Sequence, residues 1–194
     1  NLATQSFNAL GTAIATYAGQ NSGAGEINRI RKGAQVGMVY TLVSAAIGFA
    51  FSVGLHRPLM NLFLDRNDPL VAAHYDEILS YGLRFLIYQS AFYLALGTIF
   101  VYRNTLQGMG KSVITMFAGV AELGGRALTS FVFVKVWGYT GFCLSNPVAW
   151  IAADLLLVTA YIVIMHRMKK PAEKAEPKHK MKKHADDENL SQAA

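Results

Sequence analysis

Cysteine and charge are what this chain has least of. A single cysteine, Cys143, among 194 residues excludes an internal disulfide framework and any metal site built from several thiolates; it reads as a small core residue. Charged residues are 15% of the chain against 53% hydrophobic, and the charge is crowded at one end. Residues 167–194 carry eight Lys or Arg and five Asp or Glu, 13 charges in 28 positions, which leaves 17 for the first 166. A soluble helical domain would carry a polar face along every helix, and the body of this chain has too little charge for that. No two of the five histidines form a metal-ligand pair at helical spacing. The opening residues lack the basic region, apolar core and cleavage site of a secretory signal, and Asn1 is not an initiator methionine. The chain is therefore expected to begin inside a longer protein.

What the sequence does have is long apolar runs. Five segments, 2–19, 34–55, 78–102, 113–137 and 147–166, are nearly free of ionisable groups. Each approaches the roughly 20 residues that cross a hydrocarbon core of about 30 Å. The first is the most polar, with Thr4, Gln5, Ser6, Asn8, Thr12 and Thr16, which suits a buried or shortened span. Its Gly11, Ala13, Ala15 and Ala18 allow close helix packing. The predicted fold class is all-α: a membrane helix bundle over 1–168, then a disordered basic tail over 169–194. Basic residues alternate from side to side along the chain. Arg29, Arg31 and Lys32, then Arg103 and Lys111, then Arg167, Lys169 and Lys170 fall on one face, while the loops at 56–77 and 138–146 lack such an excess. The positive-inside rule makes that face, and the tail, cytoplasmic in a plasma or inner membrane. The tail is a solvated terminus attracted to anionic lipid, with no implication of nucleic acid.

Three motifs invite chemistry. Gln107 to Ser112 ends in the Gly-Lys-Ser of a phosphate-binding loop, but Thr105 stands where the first glycine belongs and the stretch joins two apolar helices, so it reads as a tight turn. Asp65 and Asp68 have the spacing of a diphosphate-binding carboxylate pair, yet they stand alone beside Pro69 and read as a solvated loop. Glu122 and Arg126, four residues apart in one span, and Asp154 in the next, carry a stronger signal. A charge at such depth costs about 2.5–3.5 kcal/mol on insertion scales and so faces the protein interior with a partner. Counting inward from the external ends puts Arg126 and Asp154 at depths of roughly 15 and 10 Å, close enough to meet. A cluster of Glu122, Arg126 and Asp154 is expected, either as structural ion pairing or as a coupling site. Gln89, with Tyr88 and Tyr93, adds polar and aromatic groups to the third span, as cavity lining or as packing.

Gly19-Gln20-Asn21-Ser22-Gly23-Ala24-Gly25 closes the first helix and is followed by basic residues and a new span. This resembles a repeated helix-closing pattern of the multidrug and toxic compound extrusion (MATE) family. Further similarities are Leu106 to Gly110 at a turn, Glu122-Leu123-Gly124-Gly125-Arg126 within a span, Gly138 to Gly141 before the last helix and Pro147 to Trp150 inside its start. The resemblance covers nearly residues 1–168. It implies most of one six-helix lobe of a two-lobe transporter, helices eight to twelve, whose partner would be the N-terminal lobe of the same polypeptide. It also implies a small-molecule substrate and no cofactor beyond a sodium ion or proton as coupling ion. Some relatives carry an acidic cation-site residue in the helix matching 78–102, and none is seen there beyond its external end.

The resulting expectation is a secondary antiporter, not an enzyme, exporting cationic or amphipathic drugs or metabolites. A lipid-linked oligosaccharide flippase of the same wider fold group is the first alternative, and it would line its cavity with several arginines. A membrane-embedded transferase is the second, and it would need more than the isolated Asp65 and Asp68.

Overall fold

The computed structural model describes residues 2–65 and 67–192, with side chains described for 4–65 and 67–168. Among the described residues every regular element is a helix. In chain order they are α1 (Leu2–Gly23), α2 (Ile27–Gly54), α3 (His56–Asn61), α4 (Pro69–Ala73), α5 (Tyr75–Ala91), α6 (Tyr93–Gly108), α7 (Ser112–Leu128), α8 (Val134–Trp137), α9 (Tyr139–Cys143) and α10 (Ser145–Gln192). The basic tail expected over 169–194 falls on residues whose side chains lie outside this description.

Among the described residues three stretches are long and apolar enough to cross a membrane: Ile27–Gly54, Ser112–Trp137 and Ser145–Met168. Helices α5 and α6 together make a fourth, bent by 40°. The sequence predicts one unbroken helix over 78–102, and the structure corrects this. At Phe92 the backbone leaves helical geometry, and its N–H turns back to the carbonyls of Gln89 and Ser90. No proline or glycine marks the break. The span 112–137 is also irregular, since Thr129–Phe133 widens into a π-turn between α7 and α8. The Thr129 hydroxyl is buried there between the carbonyls of Gly125 and Arg126 and the hydroxyl of Ser145.

Helix α1 is long enough to span but does not reach the apolar threshold of the other spans, in line with its polar sequence. Phe7, Gly11, Ile14, Ala18 and Asn21 form its buried stripe. They pack on α6, which lies at the centre of the bundle against α1, α2, α7 and α10. Gly108 permits this approach, because a Cβ there would meet the carbonyl oxygen of Ala15. The main core joins Ile99 and Leu106 of α6, Ala118 of α7, and Trp150, Ala153 and Leu157 of α10.

The two turns at one end of the bundle are closed in the same way. Gly25 and Gly110 both have φ +74°, and the following amides, Glu26 N–H and Lys111 N–H, donate five residues back to Asn21 and Leu106 at 2.8 Å. Ala18, Ile30 and Met109 then pack together with Ile27, Ile164, Met165 and Met168. This gathers the end of α1, the start of α2, the end of α6 and the inner part of α10, and with them Arg29, Arg31, Lys32, Lys111 and Arg167. That basic end is the face the sequence assigns to the cytoplasm.

Candidate functional site: a chain of buried charges between α6, α7 and α10

The α6–α7 hairpin turns at Gly108–Lys111, so residues equally far from the turn stand opposite each other. Arg103 and Glu122 are not level in this sense, five residues before the turn and eleven after it, and it is the long Arg103 side chain that closes the gap. Arg103 Nη2 donates to Glu122 Oε2 at 3.1 Å. Arg126 Nη2, one helical turn further along α7, donates to Glu122 Oε1 at 2.7 Å. Glu122 is the least exposed of the three side chains, at 18% against 28% for Arg103 and 48% for Arg126. One carboxylate therefore holds two guanidinium groups, and the half-exposed Arg126 is the outer one.

Asp154 lies on α10 beside this chain. Among the described residues no ion pair joins it to Arg126, the partner the sequence suggests; the Arg103 charge lies within electrostatic reach of Asp154, and Asp154 within reach of Tyr102. The register explains the correction. Gly125 of α7 faces Ala149 of α10 so closely that a Cβ would come within 2.8 Å of the Ala149 Cα. Five residues further along α10, Asp154 stands about 9 Å from the height of Arg126 but only about 3 Å from that of Glu122. Counting from the helix ends missed this because the π-turn and α9 make the connection between the two spans asymmetric.

Arg103 is the member of the site that sequence reasoning missed. It reads as one more basic residue flanking a turn, and only the packing of α6 against α7 shows that its side chain reaches Glu122. Two polar atoms of the cluster are buried with no hydrogen-bond partner among the described residues: Asp154 Oδ1 and Arg103 Nε. Such atoms are rare in folded proteins and mark places where a further ligand or a change of state is accommodated. Two guanidinium groups and two carboxylates sum to zero formal charge, so the cluster is neutral only while Asp154 is ionised.

Gln89 does not join this group. It is buried at the α5–α6 break, where its Nε2 donates to the Cys143 carbonyl and its Oε1 accepts from Asn146 Nδ2, both at 3.3 Å. It ties α5 to α9 and the start of α10, about 12 Å along α10 from Asp154. Cys143 is fully buried, the small core residue that the sequence suggests, and burial pushes its thiol up from the ordinary range. The remaining motifs are structural. Asp68 caps α4 by accepting from Leu70 N–H at 2.9 Å, and Asp65 accepts from Asn67 N–H at 2.9 Å. The stretch from Gln107 to Ser112 is the turn between α6 and α7, with no strand before it among the described residues. Those residues also contain no cluster of three or more His, Cys, Asp or Glu that could hold a metal ion.

The outer surface differs from helix to helix. On α2, Val36, Val39, Val43 and Ile47 are exposed, as are Val113, Met116, Phe117 and Val120 on α7, an apolar exterior suited to lipid. On α1 the exposed side carries Gln5, Asn8, Thr12 and Thr16. Thr12 and Thr16 turn their hydroxyls back onto their own helix, to the carbonyls of Asn8 and Thr12 at 3.1 Å. The amides of Gln5 and Asn8 have no such partner among the described residues.

An all-helical bundle with several helices long and apolar enough to span a membrane, an apolar exterior, one polar helix face and a part-buried chain of charges is the architecture of a multi-pass membrane protein. The comparison with known families agrees: the family model described as MatE matches residues 2–132, and the chain belongs to that family. MatE proteins as a class are transporters of the efflux type rather than enzymes. Glu122 and Arg126 lie inside the matched region and Asp154 lies beyond it. No curated protein and no solved structure gives a significant match to the chain.

Proposed function

We propose that this protein is part of a secondary antiporter that exports cationic or amphipathic small molecules in exchange for sodium ions or protons. Asp154 is its coupling residue. The observation that carries this reading is the buried, partnerless carboxylate oxygen of Asp154 beside the Arg103–Glu122–Arg126 chain, in a multi-pass member of an efflux family. A proton or a cation taken up by Asp154 cancels its charge and removes its pull on Arg103, which Glu122 holds from the other side. The balance of forces on α6 then changes. Helix α6 is both the centre of the bundle and the lower half of the bent span, so the Phe92 break is the natural place for that change to move one part of the lobe against another. The cation cancels a charge that otherwise keeps the cluster neutral, so ion occupancy selects between two arrangements without any covalent step.

The exposed amides of Gln5 and Asn8 support a second helical lobe facing α1 across a hydrated cavity, since hydrocarbon would leave them unsatisfied. The cavity between the lobes would hold the substrate, and the basic end would be cytoplasmic. The flippase alternative gains Arg103 as a second deep arginine, but both arginines are engaged by Glu122 and neither is left to bind a diphosphate. The test is exchange in proteoliposomes loaded with ethidium, under an imposed sodium or proton gradient of either direction. Movement of ethidium driven by one of the two gradients is expected. Movement indifferent to both gradients would overturn the antiporter reading.

A further inference from the structure

A small cavity of about 260 Å³ lies at the basic end, between the start of α2 and the last part of the 145–168 span, with its Tyr161 about 10 Å along α10 from Asp154. Its polar wall is formed by Asn28, Arg31, Tyr161 and His166, and its apolar wall includes Ile162 and Met165. Tyr161 is only 9% exposed, its ring packed against Tyr102 at 4.7 Å between centroids, while its hydroxyl, with no hydrogen-bond partner among the described residues, is open to the surface. The side chain lines the cavity, and the Arg31 guanidinium lies within electrostatic reach of it. Among the described residues Arg31 itself has no carboxylate partner. Glu26, the one acid at this end among residues with described side chains, is turned toward Arg29 at 3.9 Å.

From this geometry we infer that the cavity binds the phosphate headgroup of an anionic phospholipid, with an acyl chain running along the outer face of α10. A guanidinium, a phenol and an amide converge as donors, the set that suits a phosphate monoanion. The choice of a lipid over a free anion follows from the apolar wall. Ile162 is 59% exposed and Val163 43%, and the adjoining face of α2 presents Val36 and Val39, so the cavity opens onto a surface that only hydrocarbon satisfies. The cavity also stands at the interface where basic residues flank apolar spans, the level at which lipid phosphates lie. Two spans that move relative to each other would be bridged by such a lipid, which makes the site a place where membrane composition acts on the protein. This inference does not depend on the coupling role of Asp154.

The test is native mass spectrometry of the purified protein in detergent, titrated in parallel with phosphatidylglycerol and phosphatidylcholine of identical acyl chains. One phosphatidylglycerol is expected to be retained preferentially. Arg31→Gln should weaken that retention by roughly fivefold, the scale of one basic residue at a membrane surface. Tyr161→Phe, which keeps the packing, should weaken it by a smaller factor, and it serves as the independent check if Arg31→Gln folds poorly. Arg29→Gln should leave it unchanged. Equal retention of the two lipids would overturn the proposal, as would equal losses in Arg29→Gln and Arg31→Gln, the mark of a diffuse basic surface. Displacement by soluble glycerol phosphate at the same concentration as the lipid would also overturn it, in favour of a free-anion site.

Discussion

Glu122 and Asp154 are two carboxylates on packed helices at nearly the same height, and the protein treats them in opposite ways. Both oxygens of Glu122 are taken, one by Arg103 and one by Arg126. Asp154 keeps an oxygen that is buried and unpartnered, with only the field of Arg103 to face. A carboxylate whose bonds are all made is a fixed part of the lobe. One whose bonds are not made is free to change its state, and the difference lies in the register of three helices rather than in residue type.

Substitutions that unmake the satisfied side of this contrast should have the largest effect on folding. Glu122→Ala takes the acceptor from the part-buried Arg103 and the half-exposed Arg126 and should cost about 2 kcal/mol, less than a fully buried pair because water reaches both guanidinium groups. Thermal unfolding in detergent would show it as a clear drop in midpoint, and an unchanged midpoint would mean the ion chain is not structural. Gly108→Leu serves as a packing control of comparable size, about 1–3 kcal/mol, because its side chain lands on the Ala15 carbonyl. It should lower stability without altering which ion drives transport. Altered ion preference in this variant would show that the coupling is not local to the charge cluster.

The arginines sharpen the comparison further. Arg103→Gln removes a group that faces both carboxylates and should lower stability and ion coupling together. Arg126→Gln removes the half-exposed outer partner and should change stability by less than about 1 kcal/mol. Equal losses in the two variants, read by the same unfolding assay, would erase the distinction between the inner and outer halves of the chain.

Much of the bundle is legible in the sequence. The apolar runs place the spans at 34–55, 113–137 and 147–166 close to α2, to α7 with α8, and to the first half of α10, because hydrocarbon thickness leaves little freedom in length. The polar character of the first segment is legible too, but not which way it faces. Gly11, Ile14 and Ala18 turn inward and the amides turn outward, the reverse of what burial of polar residues alone suggests. The break at Phe92 leaves no mark in residue type. It rests on tertiary contacts such as the Gln89 bonds to Cys143 and Asn146, which join residues more than fifty positions apart. The same limit applies to the site. Glu122, Arg126 and Asp154 stand out as charges in apolar surroundings, whereas Arg103 is indistinguishable from a basic residue that merely flanks a turn. The height of Asp154 beside Glu122 depends on the close seat of Gly125 against Ala149, which no periodicity encodes.

Asp154→Asn is expected to be the mildest of these changes for folding, within about 1 kcal/mol of the parent, because it removes no hydrogen bond from a partner. For transport it is the most direct measurement. In proteoliposomes the variant should still let ethidium equilibrate down its own gradient, while uptake driven by an imposed ion gradient should fall by roughly tenfold or more, a loss worth about 1.4 kcal/mol. Gradient-driven uptake at the parent rate in a normally folded Asp154→Asn protein would contradict the account, since the coupling ion would then be held elsewhere.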